Sequence, residues 1–143
     1  FIPPVRHLLL WKIWRNRLPM QEQLQRAGHS LASVCFLCLG ASESIQHTLF
    51  QCRFPAALWG YLQGLFGFPL CFDRPFLDML DNLVNWPCSK QISNFLHVAI
   101  AAIVSYTWAA RNAIAFNKGR LSLHGGVVKI HSEIHAASHI QSD

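Results

Sequence analysis

Acidic residues are scarce in this chain, with seven Asp and Glu among 143 residues. None of them forms the paired-carboxylate motif that two-metal phosphoryl transfer requires. The sequence also lacks a GxSxG elbow, a phosphate-cradling glycine-rich loop and a dinucleotide fingerprint. We therefore predict that the chain has no catalytic activity of its own. In chain order the acidic residues are Glu22, Glu43, Asp73, Asp78, Asp81, Glu133 and Asp143.

Charged residues of both signs make up only 13% of the chain, whereas hydrophobic residues make up 52%. This composition argues against intrinsic disorder, because disordered segments are rich in charge and poor in apolar residues. The length fits one domain, or one small module with a helical extension. Because the first residue is Phe1 rather than Met, we expect a piece of a longer protein. Basic residues interrupt the apolar run over 1–18, so no signal peptide is recognisable and we expect an intracellular protein, nuclear or cytoplasmic.

Helical periodicity recurs along the chain between Pro and Gly breaks. It predicts a hairpin of two helices over 5–17 and 20–27, and a compact loop over 33–53 where the period disappears. Four further helical segments are predicted at Phe54–Phe66, Phe76–Trp86, Ser89–Phe116 with Ser89 as N-cap, and Val127–Ile140 opened by Gly125-Gly126. In the second of these, the predicted apolar side carries Leu77, Leu80, Leu83 and Val84.

The stretch Ile92–Ala110 is apolar enough to raise the alternative of a membrane anchor, since a span needs about 20 mainly apolar residues. Polar residues within it favour a buried helix that packs on the others, and we predict no membrane association. These polar residues are Asn94, His97, Ser105 and Thr107.

Cysteines cluster in the predicted loop with the spacing C-x2-C-x8-H-x4-C, formed by Cys35, Cys38, His47 and Cys52. A CxxC turn aims two thiolates at one ion, and the added His and Cys complete the four ligands of a closed zinc tetrahedron. An odd total of five cysteines fits a disulfide framework badly. A redox pair is the weaker alternative, because no βαβ pattern surrounds the CxxC motif. The sequence predicts a structural Zn2+ site.

The remaining cysteines and a histidine series lie outside this cluster. Cys71 and Cys88 stand among apolar residues, which predicts buried free thiols. His131, His135 and His139 recur every four residues and share a helix face, a spacing that can hold a metal. No acidic or thiol partner of matching spacing joins them, so we predict a solvated or partner-facing stripe.

Net charge is +5, and basic residues concentrate in the N-terminal part, which predicts a surface that faces phosphate. Trp11 and Trp14 could stack on bases there, although core packing is the favoured interpretation for both. The alternative is a solvated basic face without a ligand. The candidate nucleic-acid-binding residues are Arg6, Lys12, Arg15, Arg17, Arg26 and Arg53.

An ordered series of motifs resembles the reverse transcriptase zinc-binding domain that follows the polymerase of plant non-LTR (LINE-type) retroelements. The series runs through Pro3-Pro4-Val5, Trp11, Asn16-Arg17-Leu18-Pro19, CFLC, Glu43, His47-Thr-Leu-Phe-Gln-Cys52 and Trp59. Trp108, Arg111, Asn112 and Phe116 then resemble the WxxRNxxxF helix that leads toward a ribonuclease H-like domain. One departure is Leu39, which stands where the family usually has Gly, so the turn is expected to be strained or shifted in register.

The resemblance implies a mainly α-helical domain, with a CCHC zinc knuckle between helices and a long C-terminal apolar helix. We divide it into a zinc module over 1–66, a helical extension over 67–118 and a linker or partial helix over 119–143. The implied function is a zinc-binding accessory module that grips RNA or DNA beside a polymerase or ribonuclease H-like domain. The alternative is a structural or protein-interaction fragment, or a relic copy, without nucleic-acid binding.

Overall fold

The computed structural model describes residues 10–13, 15, 18 and 34–142, with side chains described up to residue 139. Residues 10–13 are helical, and Ile13 and Leu18 are buried in the core. The rest of the predicted hairpin over 5–17 and 20–27 lies outside the described residues. The proposed division at residues 66 and 118 stays a prediction.

From residue 45 onward the described chain is built from helices joined by short loops, and it contains no strand. The prediction of a mainly helical fold, with a Cys/His cluster and a long apolar helix, is confirmed. A short π-helical turn comes first, followed by four α-helices. The turn is His47–Gln51, and the helices are α1 Arg53–Phe66, α2 Phe76–Val84, α3 Lys90–Ala115 and α4 Leu123–Ser142.

Local signals set the ends of α3 as the sequence predicts. The Ser89 hydroxyl accepts a hydrogen bond from the backbone N–H of Ile92 at 3.2 Å, which satisfies one of the free donors of the first turn. At the other end Asn117 takes a left-handed conformation with φ of 56°. The N–H of Lys118 then reaches the carbonyl of Ala113 at 2.7 Å, which closes a Schellman motif.

Helix α2 is shorter than predicted and turns a different face inward. It ends at Val84 rather than Trp86, because Pro87 disfavours helical geometry at the residue before it. Val84 is 47% exposed, so its placement on the apolar side was wrong. The buried residues of this helix are Phe76, Met79, Leu80 and Leu83.

Helix α3 is the centre of the fold, since it contacts α1, α2, α4 and the π-helical turn. Among the described residues it is the one helix long and apolar enough to cross a membrane, with half of its apolar window buried inside the protein. The central core helix of a globular domain has the same apolar composition. The contacts of α3 with the other elements are those expected of such a helix.

Helix α4 begins at Leu123, so Gly125 and Gly126 lie inside its first turn rather than before it as predicted. Ser122 caps it by accepting a hydrogen bond from the N–H of Gly125 at 3.0 Å. A Cβ at Gly125 would overlap the Tyr106 hydroxyl, and one at Gly126 would lie 2.8 Å from Leu58 Cδ2. The two glycines therefore allow α4 to approach α1 and α3 closely.

An aromatic cluster connects the π-helical turn to the helices. Phe50 stacks on Phe76 with ring centroids 5.4 Å apart, and Trp59 packs edge-on against both rings. The Trp59 indole N–H donates to the carbonyl of Leu49 at 2.9 Å. Each fully buried ring contributes about 1.5–3 kcal/mol of apolar burial, so this cluster holds the segment that ends at Cys52 firmly on the core.

Candidate metal centre

A tight turn presents the first two sulfurs of the cluster. The N–H of Leu39 donates to the carbonyl of Cys35 at 2.9 Å, and the N–H of Cys35 donates to the carbonyl of Ala41 at 2.8 Å. These two bonds fold residues 35–41 into a compact loop. The Cys38 sulfur also accepts the N–H of Gly40 at 3.4 Å, so it is oriented before any ion binds.

The second pair of donors comes from the π-helical turn, where the sequence analysis expected irregular loop. The N–H of Cys52 donates to the carbonyl of His47 at 2.6 Å, a bond that spans five residues. In an α-helix residues five apart differ by about 140° around the axis. The wider π-helical turn brings residue i+5 back over residue i. The H-x4-C spacing is the sequence signal for this turn.

The four donor atoms converge on one point. The sulfurs of Cys35, Cys38 and Cys52 and a ring nitrogen of His47 all lie within 4.8 Å of one another. The Cys35 and Cys52 sulfurs are 3.9 Å apart, and Nε2 of His47 is 3.2 Å from the Cys38 sulfur. A zinc tetrahedron with Zn–S bonds of about 2.3 Å has S···S edges of about 3.8 Å. The residues present therefore fit a Zn2+ ion with three sulfurs and one imidazole.

The two buried sulfurs lie within hydrogen-bonding distance of each other, 3.9 Å apart. The hydrogen bond with Cys52, supported by backbone N–H groups of Cys38 and Leu37 and opposed by burial, lowers the pKa of Cys35 to about 4. The same contact, together with burial, raises the pKa of Cys52. The hydroxyl of Thr48 adds a further donor at 3.8 Å from the Cys35 sulfur. The lowered pKa favours the thiolate form of Cys35, the form in which Cys binds metal.

Leu39 carries the backbone strain expected at its position. Its φ is 59°, in the left-handed region, where an L-residue with a Cβ pays roughly 1–2 kcal/mol. Its side chain is 66% exposed, so no packing offsets that cost. The prediction of a strained turn is confirmed, and the strain lies directly beside Cys38.

A buried ion pair joins residues 34–52, which carry the four metal-binding side chains and are called the metal loop below, to helix α3. The Arg111 guanidinium donates to both carboxylate oxygens of Glu43, Nε to Oε2 at 3.0 Å and Nη2 to Oε1 at 2.8 Å. Arg111 also lies between two rings, 4.9 Å from the centroid of Phe36 and 5.0 Å from that of Trp108. Glu43 and Arg111 each belong to a motif that is visible in the sequence, but their pairing could not be predicted, because no local pattern links residues 68 positions apart.

Half of the candidate phosphate-contacting residues can be placed. Arg15 and Arg53 are exposed and Lys12 is partly buried. Trp11 is 50% exposed, with the Arg15 guanidinium 5.9 Å from its ring centroid, so the favoured core packing of Trp11 was wrong. The remaining candidates, Arg6, Arg17 and Arg26, lie outside the described residues, as does Trp14.

The isolated cysteines and the histidine series lie away from the four-residue cluster. Cys71 and Cys88 are both exposed, so the prediction of buried thiols was wrong. Each cysteine lies in a loop that flanks α2. Its apolar sequence neighbours are partly buried there, whereas the cysteine itself is exposed to solvent. The three histidines His131, His135 and His139 are exposed on α4, as predicted for a stripe on one face.

Comparison with known proteins places the cluster in a family context. Residues 1–59 match the family model described as zinc-binding in reverse transcriptase. No curated protein and no solved structure matches the chain. The matched range includes all four Cys and His residues of the cluster and Glu43. The predicted resemblance to the reverse transcriptase zinc-binding domain is therefore confirmed over residues 1–59.

Proposed function

We propose that this chain is a zinc-binding accessory module, derived from a plant non-LTR retrotransposon reverse transcriptase, that binds RNA or DNA and has no catalytic activity of its own. One observation carries the proposal. Four donors that suit zinc converge within 4.8 Å of one another, inside the segment that matches zinc-binding in reverse transcriptase. The module would act inside the cell, in the nucleus or cytoplasm.

The donor chemistry supports a structural role for the metal. Zinc bound by three thiolates and one imidazole has a filled tetrahedral shell, which leaves no position for a catalytic water. The ion would join the loop that bears Cys35 and Cys38 to the turn that bears His47 and Cys52. The nearest buried carboxylate, Glu43, is held by Arg111, which leaves it unsuited to acid–base chemistry.

Exposed basic residues near the metal loop support nucleic-acid binding. Arg53 directly follows the ligand Cys52 and is exposed at the first position of α1. The positive end of a helix favours an anion there, so a phosphate would meet the Arg53 side chain at a favourable helix terminus. Trp11 and Arg15 offer an exposed ring beside a cation, an arrangement suited to stacking on a base of a single strand.

The proposed partner in the same polypeptide is an adjacent polymerase or ribonuclease H-like domain. Phe116, the last residue of the WxxRNxxxF motif, is 66% exposed at the end of α3. Arg111 of that motif contacts Glu43 and Phe36 of the metal loop, and Trp108 packs on its guanidinium. The motif would therefore connect the zinc module on one side with a neighbouring domain on the other.

The test is fluorescence anisotropy of labelled single-stranded RNA and DNA with the zinc-loaded chain at several salt concentrations. We expect binding that weakens with salt, because phosphate binding releases counterions. Arg53→Gln should lower the slope of log K against log salt by about 0.7 for each phosphate that the chain no longer neutralises. Lys90→Gln is the matched control, since Lys90 is exposed and lies 21 residues from Arg111, about 32 Å along α3.

A second candidate function is protein interaction without nucleic-acid binding. Its supporting observation is a cleft of about 490 Å3 beside α2, with apolar walls that include Leu70, Met79 and Trp86. This candidate predicts that neither the native chain nor the Arg53→Gln variant binds RNA or DNA, even at low salt. Such an outcome would overturn the nucleic-acid proposal and leave the zinc-binding proposal to be judged by metal content.

A further inference from the structure

Two histidines one turn apart near the end of α4 point their ring nitrogens at each other. Nε2 of His135 lies 3.0 Å from Nε2 of His139, with the ring planes perpendicular and the centroids 4.4 Å apart. Both side chains are exposed, and so is Ala136 between them. The two nitrogens are therefore hydrogen-bonded to each other at a surface position that solvent and ions can reach, and a bound ion would take the place of the shared proton.

The spacing of these nitrogens allows both to bind one ion. For metal–nitrogen bonds of about 2.0–2.1 Å, neighbouring ligands are about 2.9–3.4 Å apart, depending on the coordination angle. The hydrogen-bonded nitrogens, 3.0 Å apart, already lie within this range. Imidazole nitrogens in square-planar or tetragonal sites are typical ligands of Ni2+ and Cu2+. We propose that His135 and His139 form a second metal site, for a divalent ion that takes imidazole nitrogen, such as Ni2+ or Cu2+.

The third histidine of the series does not join the pair. Nε2 of His131 is hydrogen-bonded to the Tyr61 hydroxyl, and the two rings meet edge to face at 5.6 Å. His131 thus fastens α4 to α1. Glu133 forms an ion pair with Lys129 at 3.1 Å. Among the residues that the structure describes, the site consequently offers two imidazole ligands, and water would complete the coordination of the ion.

This site differs from the cysteine cluster in both chemistry and effect. The cluster offers soft thiolates in a buried tetrahedron, whereas the pair offers only imidazole nitrogen at the surface. An ion bound across one helical turn fixes both side chains and stabilises that turn, because it bridges residues four apart. Metal at His135 and His139 would therefore rigidify the end of α4 without changing the metal loop.

The test uses the zinc-loaded chain without a histidine tag and Ni2+ as the probe, since Ni2+ does not oxidise thiols. Calorimetric titration should show one Ni2+ per chain, with zinc release monitored in parallel. We expect His135→Ala and His139→Ala each to weaken Ni2+ binding about tenfold or more, because a single imidazole remains. His124→Ala is the matched control, since His124 is an exposed histidine in the first turn of the same helix, and it should leave binding unchanged.

Hydrogen exchange gives a second readout that does not depend on affinity. Ni2+ should slow amide exchange over the last turns of α4 in the native chain and not in His139→Ala. Equal Ni2+ affinity in all three variants, or Ni2+ uptake matched by zinc release, would overturn the proposal. Because the zinc cluster and the basic residues take no part in this site, the result is independent of the proposed function.

Discussion

The carboxylate of Glu43 and the guanidinium of Arg111 form a two-point ion pair buried between the metal loop and helix α3. Their side chains are 0% and 8% exposed. Glu43 belongs to the segment that matches the zinc-binding family, and Arg111 lies beyond it. The pair therefore fixes the metal loop to a helix that the family match does not include.

Breaking this pair on one side should destabilise the chain strongly. Arg111→Met removes the guanidinium that faces the buried Glu43 carboxylate, and breaking a buried pair on one side costs about 3–5 kcal/mol. Lys129→Met is the control, because it removes the exposed pair with Glu133 and should cost less than about 1 kcal/mol. Urea unfolding of both variants measures the difference. Equal losses would show that the buried pair contributes no more than a surface one.

The strain at Leu39 predicts a stabilising substitution. Leu39→Gly should raise the free energy of unfolding by roughly 1 kcal/mol, since Gly adopts φ of 59° without a Cβ clash. Leu39→Ala is the control, because it removes the exposed side chain but keeps the strained Cβ. Denaturant unfolding of the zinc-loaded proteins should separate the two. A gain in the alanine variant equal to that in the glycine variant would trace the effect to the exposed side chain instead.

Local patterns in the sequence were sufficient for some features and not for others. The bounds of α1 and α3 and the spacing of the ligands are local features of the sequence. The structure agrees with the predicted bounds of both helices, and it brings the four ligands together. The pairing of Glu43 with Arg111 depends on how distant segments pack, which no periodicity encodes. Exposure of Cys71 also depends on tertiary packing, because apolar neighbours in sequence can turn away from a residue that faces solvent.

Alanine substitutions at two glycines should change the stability of the chain in opposite directions. Gly126→Ala should destabilise the chain, because its Cβ would meet the buried Leu58 side chain at 2.8 Å. Gly64→Ala in α1 meets nothing within 4 Å and should stabilise the helix by about 0.5–1 kcal/mol. Thermal unfolding of both variants tests the close approach of α4 to α1. Stabilisation by both substitutions would argue against that approach.

The lowered pKa of Cys35 predicts a thiolate in the metal-free, reduced chain. Ultraviolet absorbance should detect one thiolate at neutral pH that is protonated near pH 4. Because this pKa is lower in the folded chain than the ordinary 9.0, its contribution to stability is complete above pH 9.0 and is lost as the pH falls through about 4. Cys35→Ser should abolish the signal, and Cys52→Ala should raise the pKa of Cys35, since the Cys52 hydrogen bond is the main cause of the lowered value. A titration that is unchanged in Cys52→Ala would contradict this assignment.

Removal of zinc should loosen the metal loop and leave the helices folded. The purified chain is expected to contain one zinc, which the Cys38→Ser, Cys52→Ser double variant should lose and Cys71→Ser, an exposed thiol outside the cluster, should retain. After chelation, hydrogen exchange should accelerate over residues 34–52, while the amides of α3 remain protected because its packing with the other helices does not involve the ion. Acidification should release the metal as well, since protons compete for the thiolates and the imidazole. Collapse of protection throughout α3 on chelation would instead mean that zinc is required for the whole fold.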